Sequence, residues 1–566
     1  MRGADALVKC LRAEGIPFIA GITSGSTMEV ADALLAAPEI RTILTRHERV
    51  AADLADGYAR VSGKPGVCLA VMGPGAAHIF AGVAQSYSDS VPVLALLGQT
   101  VRARAGAGAS AQEMHLQEIF RTVTKWEGAV NLPWRTPEIV RMAFNALRNG
   151  RPGPVMLEMP SDVMAEEFED SRFSYRPVPA TSKSRPDAAC VEAAAGMLLA
   201  AKQPMIYAGS AVLQAGATPE LVRVAELLSA PVMTSLGGKS AFPENHPLSV
   251  GFGGFPQPRL GTSMAHRFAQ QTDCLFAVGN GFRDMATSGK AWPQGVKLIH
   301  SHVDWSEIHR SYMADVAMVG DAKLALADLA AALEDRLPKG RRSIRPEIAA
   351  AVAKAKQEWL STWMPVLTSN EVPLNPFRVT WDFMHSIDRA KTILTHDAGA
   401  VRGHSCHHYE ATEPFGFVGM GMQSEMGWSL GAAMGMKLAC PDKLVATVMG
   451  DGSFGMVGLD LETAVRNRIP TLTLLYNNSS MGIVMDIQES QFGSRFTMVD
   501  LAGDYVGVAR ALGAHAERVV TPDQIVPAIK RAVAKTEDGV PALVEFVTKQ
   551  LEPQPGPTNG PRPKQS

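Results

Sequence analysis

Residues 443–478 read "KLVATVMGDGSFGMVGLDLETAVRNRIPTLTLLYNN". An apolar run, Leu444 to Met449, stops at Gly-Asp-Gly. A helical pattern follows, and a second apolar run, Leu472 to Tyr476, ends in two asparagines. Strand, helix and returning strand predict a parallel pair whose strand ends leave the same edge of the sheet. Ligands bind beyond the carboxyl ends of such strands. A Gly-Asp-Gly turn alone is ordinary in a chain with 51 glycines, and so is an Asn-Asn turn. Together they carry more. Asp451 and Asn478 stand 27 residues apart, the length of one helix and one return strand. They can share a divalent cation, with a loop carbonyl near Ser480 as a third hard oxygen for Mg²⁺. The Gly452 N–H and the Ser453 hydroxyl, at the start of the helix, suit a phosphate.

The same alternation extends through the chain. Residues 1–165, 190–335 and 376–552 each alternate near-continuous apolar runs with helical stretches, as in "VPVLALLGQ", "CLFAVGN" and "ALVEFVT". This predicts an α/β protein of three doubly wound parallel-sheet domains, each sheet covered on both faces. The connectors "EDSRFSYRPVPATSKSRPD" and "DRLPKGRRSIRPE" are polar and Pro-rich, and residues 553–566 read as a disordered tail.

Composition narrows the function classes. A net charge of -2 without a long basic run argues against nucleic acid or an anionic membrane as partner. No apolar stretch has the length of a membrane span. The N-terminus reads as an amphipathic helix without a signal-peptide core, and the six cysteines are scattered with no CxxC. A reduced, cytoplasmic setting is expected.

"GDGSF…LLYNN" resembles the thiamine diphosphate (ThDP) binding motif. The resemblance runs along nearly the whole chain, in the order pyrimidine-binding, central and diphosphate-binding domain. It is strongest with the acetolactate synthase-like group of 2-oxoacid decarboxylases and carboligases. It is carried by "RHERVAADLADGYARVSGKPGVCLAVMGPGAAH" (46–78), "SDSVPVLALLGQT" (88–100), "AQE" (111–113), "GRPGPVMLEMPSDV" (150–163) and "SEMGWSLGAAMGMKLACPDK" (424–443). It implies ThDP and Mg²⁺ as cofactors. It assigns Glu48 to the pyrimidine N1′, where a carboxylate drives the tautomer that lets the cofactor's own amino group take its C2 proton. It implies Met426 as the apolar wedge beneath the folded cofactor and the Ser424 carbonyl as acceptor of its amino group. Gly450, Gly452, Ser453, Met481, Gly482 and Val484 would border the cofactor, with Asp451, Asn478 and Ser480 on the metal. Gln112 matches a glutamine near the reacting centre. His78 stands where many relatives have an amide, either as a proton donor or as a helix cap. The resemblance also implies a homodimer, or a dimer of dimers, whose sites are shared between subunits.

The chain departs from acetolactate synthases where the second substrate is held. Their central domain carries an arginine that binds the second oxoacid's carboxylate. Here the stretch is "GFRDM" (281–285), with Met285 at that position and Arg283 nearby. The tryptophan that favours the larger acceptor aligns with Ile487, and a Gln-His pair with Ala400 and Val401. The same central stretch helps hold FAD in acetolactate synthases, so its departure counts against FAD while leaving it an option. The cluster "HSCHHYE", from His404 to Glu410, reads as a loop, since its spacing is poor for one tetrahedral metal site. The expected activity is cleavage or formation of a C–C bond on a 2-oxoacid, with a carbonyl compound as acceptor. Simple decarboxylation and aldehyde lyase or ligase chemistry are the alternatives within that class. A non-catalytic nucleotide-binding regulatory subunit is the alternative outside it.

Overall fold

The computed structural model describes residues 1–179, 183–253, 264–283, 292, 295–337, 344–494 and 497–550. The expected tail at 553–566 and Met285 lie outside the described residues. Eighteen strands among the described residues form three six-stranded sheets, and every strand pairing is parallel.

The first sheet contains β1 (Phe18–Gly21), β2 (Arg41–Leu44), β3 (Gly66–Ala70), β4 (Val93–Gln99), β5 (Trp126–Ala129) and β6 (Val155–Pro160), in the order β2-β1-β3-β4-β6-β5. The second contains β7 (Pro204–Ala208), β8 (Val232–Thr234), β9 (Ser249–Phe252), β10 (Cys274–Val278), β11 (Lys297–His302) and β12 (Val316–Val319), in the order β12-β11-β10-β7-β8-β9. The third contains β13 (Thr392–His396), β14 (Phe417–Val418), β15 (Leu444–Gly450), β16 (Leu472–Asn477), β17 (His515–Val519) and β18 (Ala542–Val547), in the order β14-β13-β15-β16-β18-β17. Central strands such as β3, β4 and β7 are buried along their whole length, because helices cover both faces.

The first and third sheets share a core. Val50, Leu54 and Val83 of the first domain pack in one cluster with Leu430, Phe454 and Leu461 of the third. At its centre the helix Glu48–Ser62 crosses the helix Trp428–Ala439. Side chains do not separate them. A Cβ at Gly57 would collide with the Ala432 backbone, and one at Gly435 with the Leu54 carbonyl. Glycine lets the two backbones touch. A 22-residue helix, Pro346–Leu367, lies between the second and third sheets and buries only Val352, Trp363 and Leu367.

Candidate functional site

The turn after β15 is built by register. Gly450 pairs with Tyr476 of β16, so the two strands end level, and the helix Asp451–Val457 begins at once. Asp451 is 2% exposed, and its Oδ2 has no hydrogen-bond partner. Burial pushes this carboxyl up to about 6, while the N–H groups of Gly452, Ser479 and Ser480 draw it part of the way back. An orphaned carboxylate oxygen is costly in such a place unless a cation meets it. Asn478 Oδ1 accepts the Ser480 N–H at 3.1 Å, which folds the loop after β16 toward Asp451. The Ser480 carbonyl accepts from the Gly482 N–H at 2.9 Å and keeps a second lone pair. Asp451, Asn478 and the Ser480 carbonyl could therefore supply oxygens of the kind Mg²⁺ takes.

The space over this turn is apolar. A Cβ at Gly452 would come 3.0 Å from Met481 Sδ and 3.5 Å from Met426 Cε. Ser453 is buried beside it. Gly482 opens the helix Gly482–Phe492, on which Val484 is partly exposed. A glycine under two thioethers, next to an orphaned carboxylate, fits a diphosphate ester carried on a hydrophobic ring system.

A second group gathers on the first domain around the turn Gly73–Gly75. Glu48 opens its helix and is largely buried. His78 Nδ1, on the helix Pro74–Asp89, lies 3.0 Å from Glu48 Oε2. His78 is a turn inside that helix, whose N-cap is Gly73, so it does not serve as a cap. Gln112, exposed and at φ 63°, borders the same turn: a Cβ on Gly73 would strike its carbonyl, and one on Gly75 would come 3.2 Å from Glu48 Oε1. His47 was not singled out by sequence. It caps the Glu48 helix by accepting the Arg49 N–H at 3.2 Å, and its ring lies 4.7 Å from that of His78. Burial, then the neighbouring His78 and Arg49, hold His47 below the usual histidine range. His47, Glu48 and His78 each offer a ligand atom within 4.8 Å of the others. That imidazole-rich set favours transition metals, whereas the oxygens around Asp451 favour Mg²⁺. Among the described residues no hydrogen bond or ion pair joins the Glu48 group to the Asp451 turn. One chain thus carries two groups of candidate site residues.

The loop Gly421–Gly427 is locked from both domains. Asp397 accepts from the Gly427 N–H (2.8 Å), the Ser429 N–H (3.0 Å) and the Ser429 hydroxyl (2.8 Å). Asp89 accepts from the Gly421 N–H at 2.9 Å, and Arg402 donates to Ser424 Oγ at 2.7 Å. Ser424 itself is held at φ 53°. Beneath lies a buried acidic pair, Asp53 and Glu425. Burial raises both carboxyls, and the neighbouring Glu425 raises Asp53 further. Arg49 Nε stands 3.2 Å from Glu425 Oε1, near enough for ionic attraction but misaligned for a hydrogen bond.

The histidine cluster differs from expectation. Val401–Cys406 is a helix and His407–His408 its closing turn, not a loop. Neutral imidazoles pack as small aromatics here: His408 stacks on Trp359 (4.8 Å), and His404 meets Phe377 edge-on (4.9 Å). In the central domain, Arg283 donates to Glu307 Oε1 at 3.1 Å, and Arg151 reaches the same oxygen at 2.6 Å. They line a cleft of about 150 Å³ beyond the glycine turns Gly209 and Gly279.

Comparison with known proteins covers all three sheets. Residues 1–119 match "Thiamine pyrophosphate enzyme, N-terminal TPP binding domain", residues 191–329 the central domain of the same enzymes, and residues 397–546 their C-terminal TPP binding domain. A probable acetolactate synthase large subunit of Methanocaldococcus jannaschii is 34% identical, over 98% of this chain and 93% of its own length. An acetolactate synthase of Mycobacterium bovis is 31% identical over 97% and 88%, and an acetolactate synthase large subunit of Corynebacterium glutamicum 31% over 97% and 87%.

Proposed function

Since the chain belongs to the thiamine pyrophosphate enzymes, and within them to the acetolactate synthase-like carboligases, we propose that it is a ThDP- and Mg²⁺-dependent enzyme that takes a two-carbon or longer acyl unit from a 2-oxoacid and passes it to a carbonyl acceptor or a proton. Thiamine diphosphate, which is thiamine pyrophosphate, supplies the electron sink for decarboxylation. The protein's own residues do the rest. Asp451, Asn478 and the Ser480 carbonyl would hold Mg²⁺ against the diphosphate. Gly452 and Ser453 would meet that diphosphate by N–H and hydroxyl. Met426 and Met481 would keep water from the ring and Val484 would border it, while the Ser424 carbonyl takes the amino group. Glu48 would hold a proton at the pyrimidine nitrogen, and His78, in contact with it, would relay a proton between that carboxyl and the reacting substrate. Gln112 would stand at the substrate's end.

The observation that carries this reading is the orphaned Oδ2 of Asp451 beneath the Gly452, Met426 and Met481 space. The test is a titration of apo-protein with ThDP, with and without Mg²⁺, read by the circular dichroism the cofactor induces. CO₂ release and mass spectrometry of products from a panel of 2-oxoacids and aldehydes follow. Binding without Mg²⁺, or no CO₂ from any oxoacid, overturns it.

An altered acceptor is part of the proposal. Arg283 is engaged with Glu307, which favours an aldehyde acceptor, or protonation, over a second oxoacid. The glycine turns and arginines of the central cleft would accept an anionic nucleotide such as FAD, but the proposed chemistry involves no redox step and needs no flavin. The Glu48 group and the Asp451 turn are read as two half-sites, each completed by the other half from a second subunit in a homodimer or a dimer of dimers. No helix among the described residues is long and apolar enough to cross a membrane, and a cytoplasmic setting is proposed on the scattered free cysteines.

A further inference from the structure

A cavity of about 220 Å³ lies away from both half-sites, between β9, the helix Pro346–Leu367 and the turn that ends the helix Val401–Cys406. Its body is apolar: Val250, Met264, Leu360 and Met384, with the indoles of Trp359 and Trp381. For scale, an apolar cavity of about 150 Å³ takes up benzene. Three consecutive residues give this one a polar end. His408 is 5% exposed with neither ring nitrogen hydrogen-bonded, Tyr409 is 1% exposed with a free hydroxyl, and His407 Nε2 has no partner. All three line the cavity. The charged groups there are paired: buried Lys239 holds both oxygens of Glu244 at 2.5 and 2.6 Å, and the partly exposed Lys356 and Arg389 share Glu410.

We propose that this cavity is a binding site for a small monocarboxylate with an apolar, benzoate-sized body. The free Tyr409 hydroxyl and a His408 N–H would donate to the carboxylate, and the body would lie along the indoles. The charge count favours an anion. Lys239, Lys356 and Arg389 against Glu244 and Glu410 give the wall a net charge of one positive, since three minus two is one. The imidazoles do not add to it, because burial drives His407 down to about 3 and His408 well below its usual range. They remain neutral, each with one ring N–H to donate to a carboxylate. His408 is also held in place, against Trp359 on one side and Trp363 (4.5 Å, edge-on) on another. This proposal rests on neither the cofactor nor the reaction.

The experiment is calorimetric titration of the full chain with sodium benzoate, paired with tryptophan fluorescence, with benzyl alcohol as the neutral control. One saturable benzoate site per chain is expected, with benzyl alcohol at least about tenfold weaker, as loss of a hydrogen bond to a charged group implies. Tyr409→Phe, which removes one oxygen and keeps the ring, should weaken benzoate by about ten- to a hundredfold. Leu360→Trp should fill the cavity and abolish binding. Glu48→Gln should bind as wild type, which separates this site from the candidate catalytic one. Absence of binding at millimolar benzoate means the cavity holds only water, and the proposal fails. It fails equally if benzyl alcohol binds as well as benzoate, or if Tyr409→Phe, folded by circular dichroism, binds unchanged.

Discussion

His78 Nδ1 lies 3.0 Å from Glu48 Oε2 although the two residues stand on different helices of the first domain. Which of the two atoms donates depends on the tautomer of His78, and substitution tests each member of the pair separately. Glu48→Gln keeps the shape of the carboxyl but cannot exchange a proton with N1′ of a bound pyrimidine. Turnover should fall at least about a hundredfold, the scale of a positioned acid–base group. ThDP affinity should fall far less. His78→Gln should leave ThDP binding intact and cost about tenfold or more in turnover, mostly in kcat. Near wild-type turnover in Glu48→Gln removes the role assigned to it.

Asp451→Ala removes the orphaned oxygen at the end of β15 while sparing the strand. ThDP binding should lose its Mg²⁺ dependence and become undetectable by induced circular dichroism. Asn478→Ala should weaken binding less, since it removes a neutral amide oxygen and not a charged carboxylate. An Asp451→Ala protein with unchanged affinity and unchanged metal requirement excludes the oxygen set described.

If each working site joins the Glu48 half of one subunit to the Asp451 half of another, damaged chains should repair one another. Mixed dimers of Glu48→Gln and Asp451→Ala chains, formed by dissociation and reassociation, contain one intact site in two. Activity should return to about a quarter of wild type, because half of a random mixture is hybrid and half of each hybrid's sites are whole. Inactive hybrids, verified by mass, would place both halves in a single chain.

The buried pair Asp53–Glu425 sets a pH dependence of stability. Burial raises both carboxyls above their ordinary values, so each is more easily protonated folded than unfolded. Their contribution is complete below about pH 4 and is lost as pH climbs through the raised values. Asp53→Asn mimics the protonated acid at every pH. Its Tm relative to wild type should therefore rise between pH 5 and pH 8. An offset of about 1 kcal/mol moves Tm by about 2–4 °C for a domain of some 150–250 residues. A Tm difference that is flat or falling over that range contradicts the raised values.

Acceptor choice tests the central domain. With pyruvate as donor, acetaldehyde or benzaldehyde should outcompete a second pyruvate, because Arg283 already serves Glu307. Chromatography of the products decides. If acetolactate dominates and Arg283→Met removes it, then Arg283 leaves Glu307 to bind the oxoacid.

What the sequence made legible follows burial. Strands with both faces covered, such as β4 and β10, are near-continuous apolar runs and read directly, and Glu545 alone interrupts β18. The edge strands β2 and β17 are half exposed, and β14 has two residues, so no run marks them. The helix Pro346–Leu367 buries too few side chains to show a stripe. Asp451 and Asn478 could be paired because one helix separates them. Asp53 and Glu425 could not, since they stand 372 residues apart and only the crossing of two helices makes them neighbours.

That crossing also bears on how this protein could be re-engineered. Glu48 opens one of the two helices, and Met426 stands two residues before the other. Their separation is gauged by main chain resting on main chain at Gly57 and Gly435, a fixture with no side chain to exchange. A mutational library aimed at the cofactor end has little room there, since any added carbon shifts both helices together. The cleft at Arg283 and Glu307 is bounded by long, interchangeable side chains. New substrates are best sought by diversifying that periphery while the fixture is left untouched.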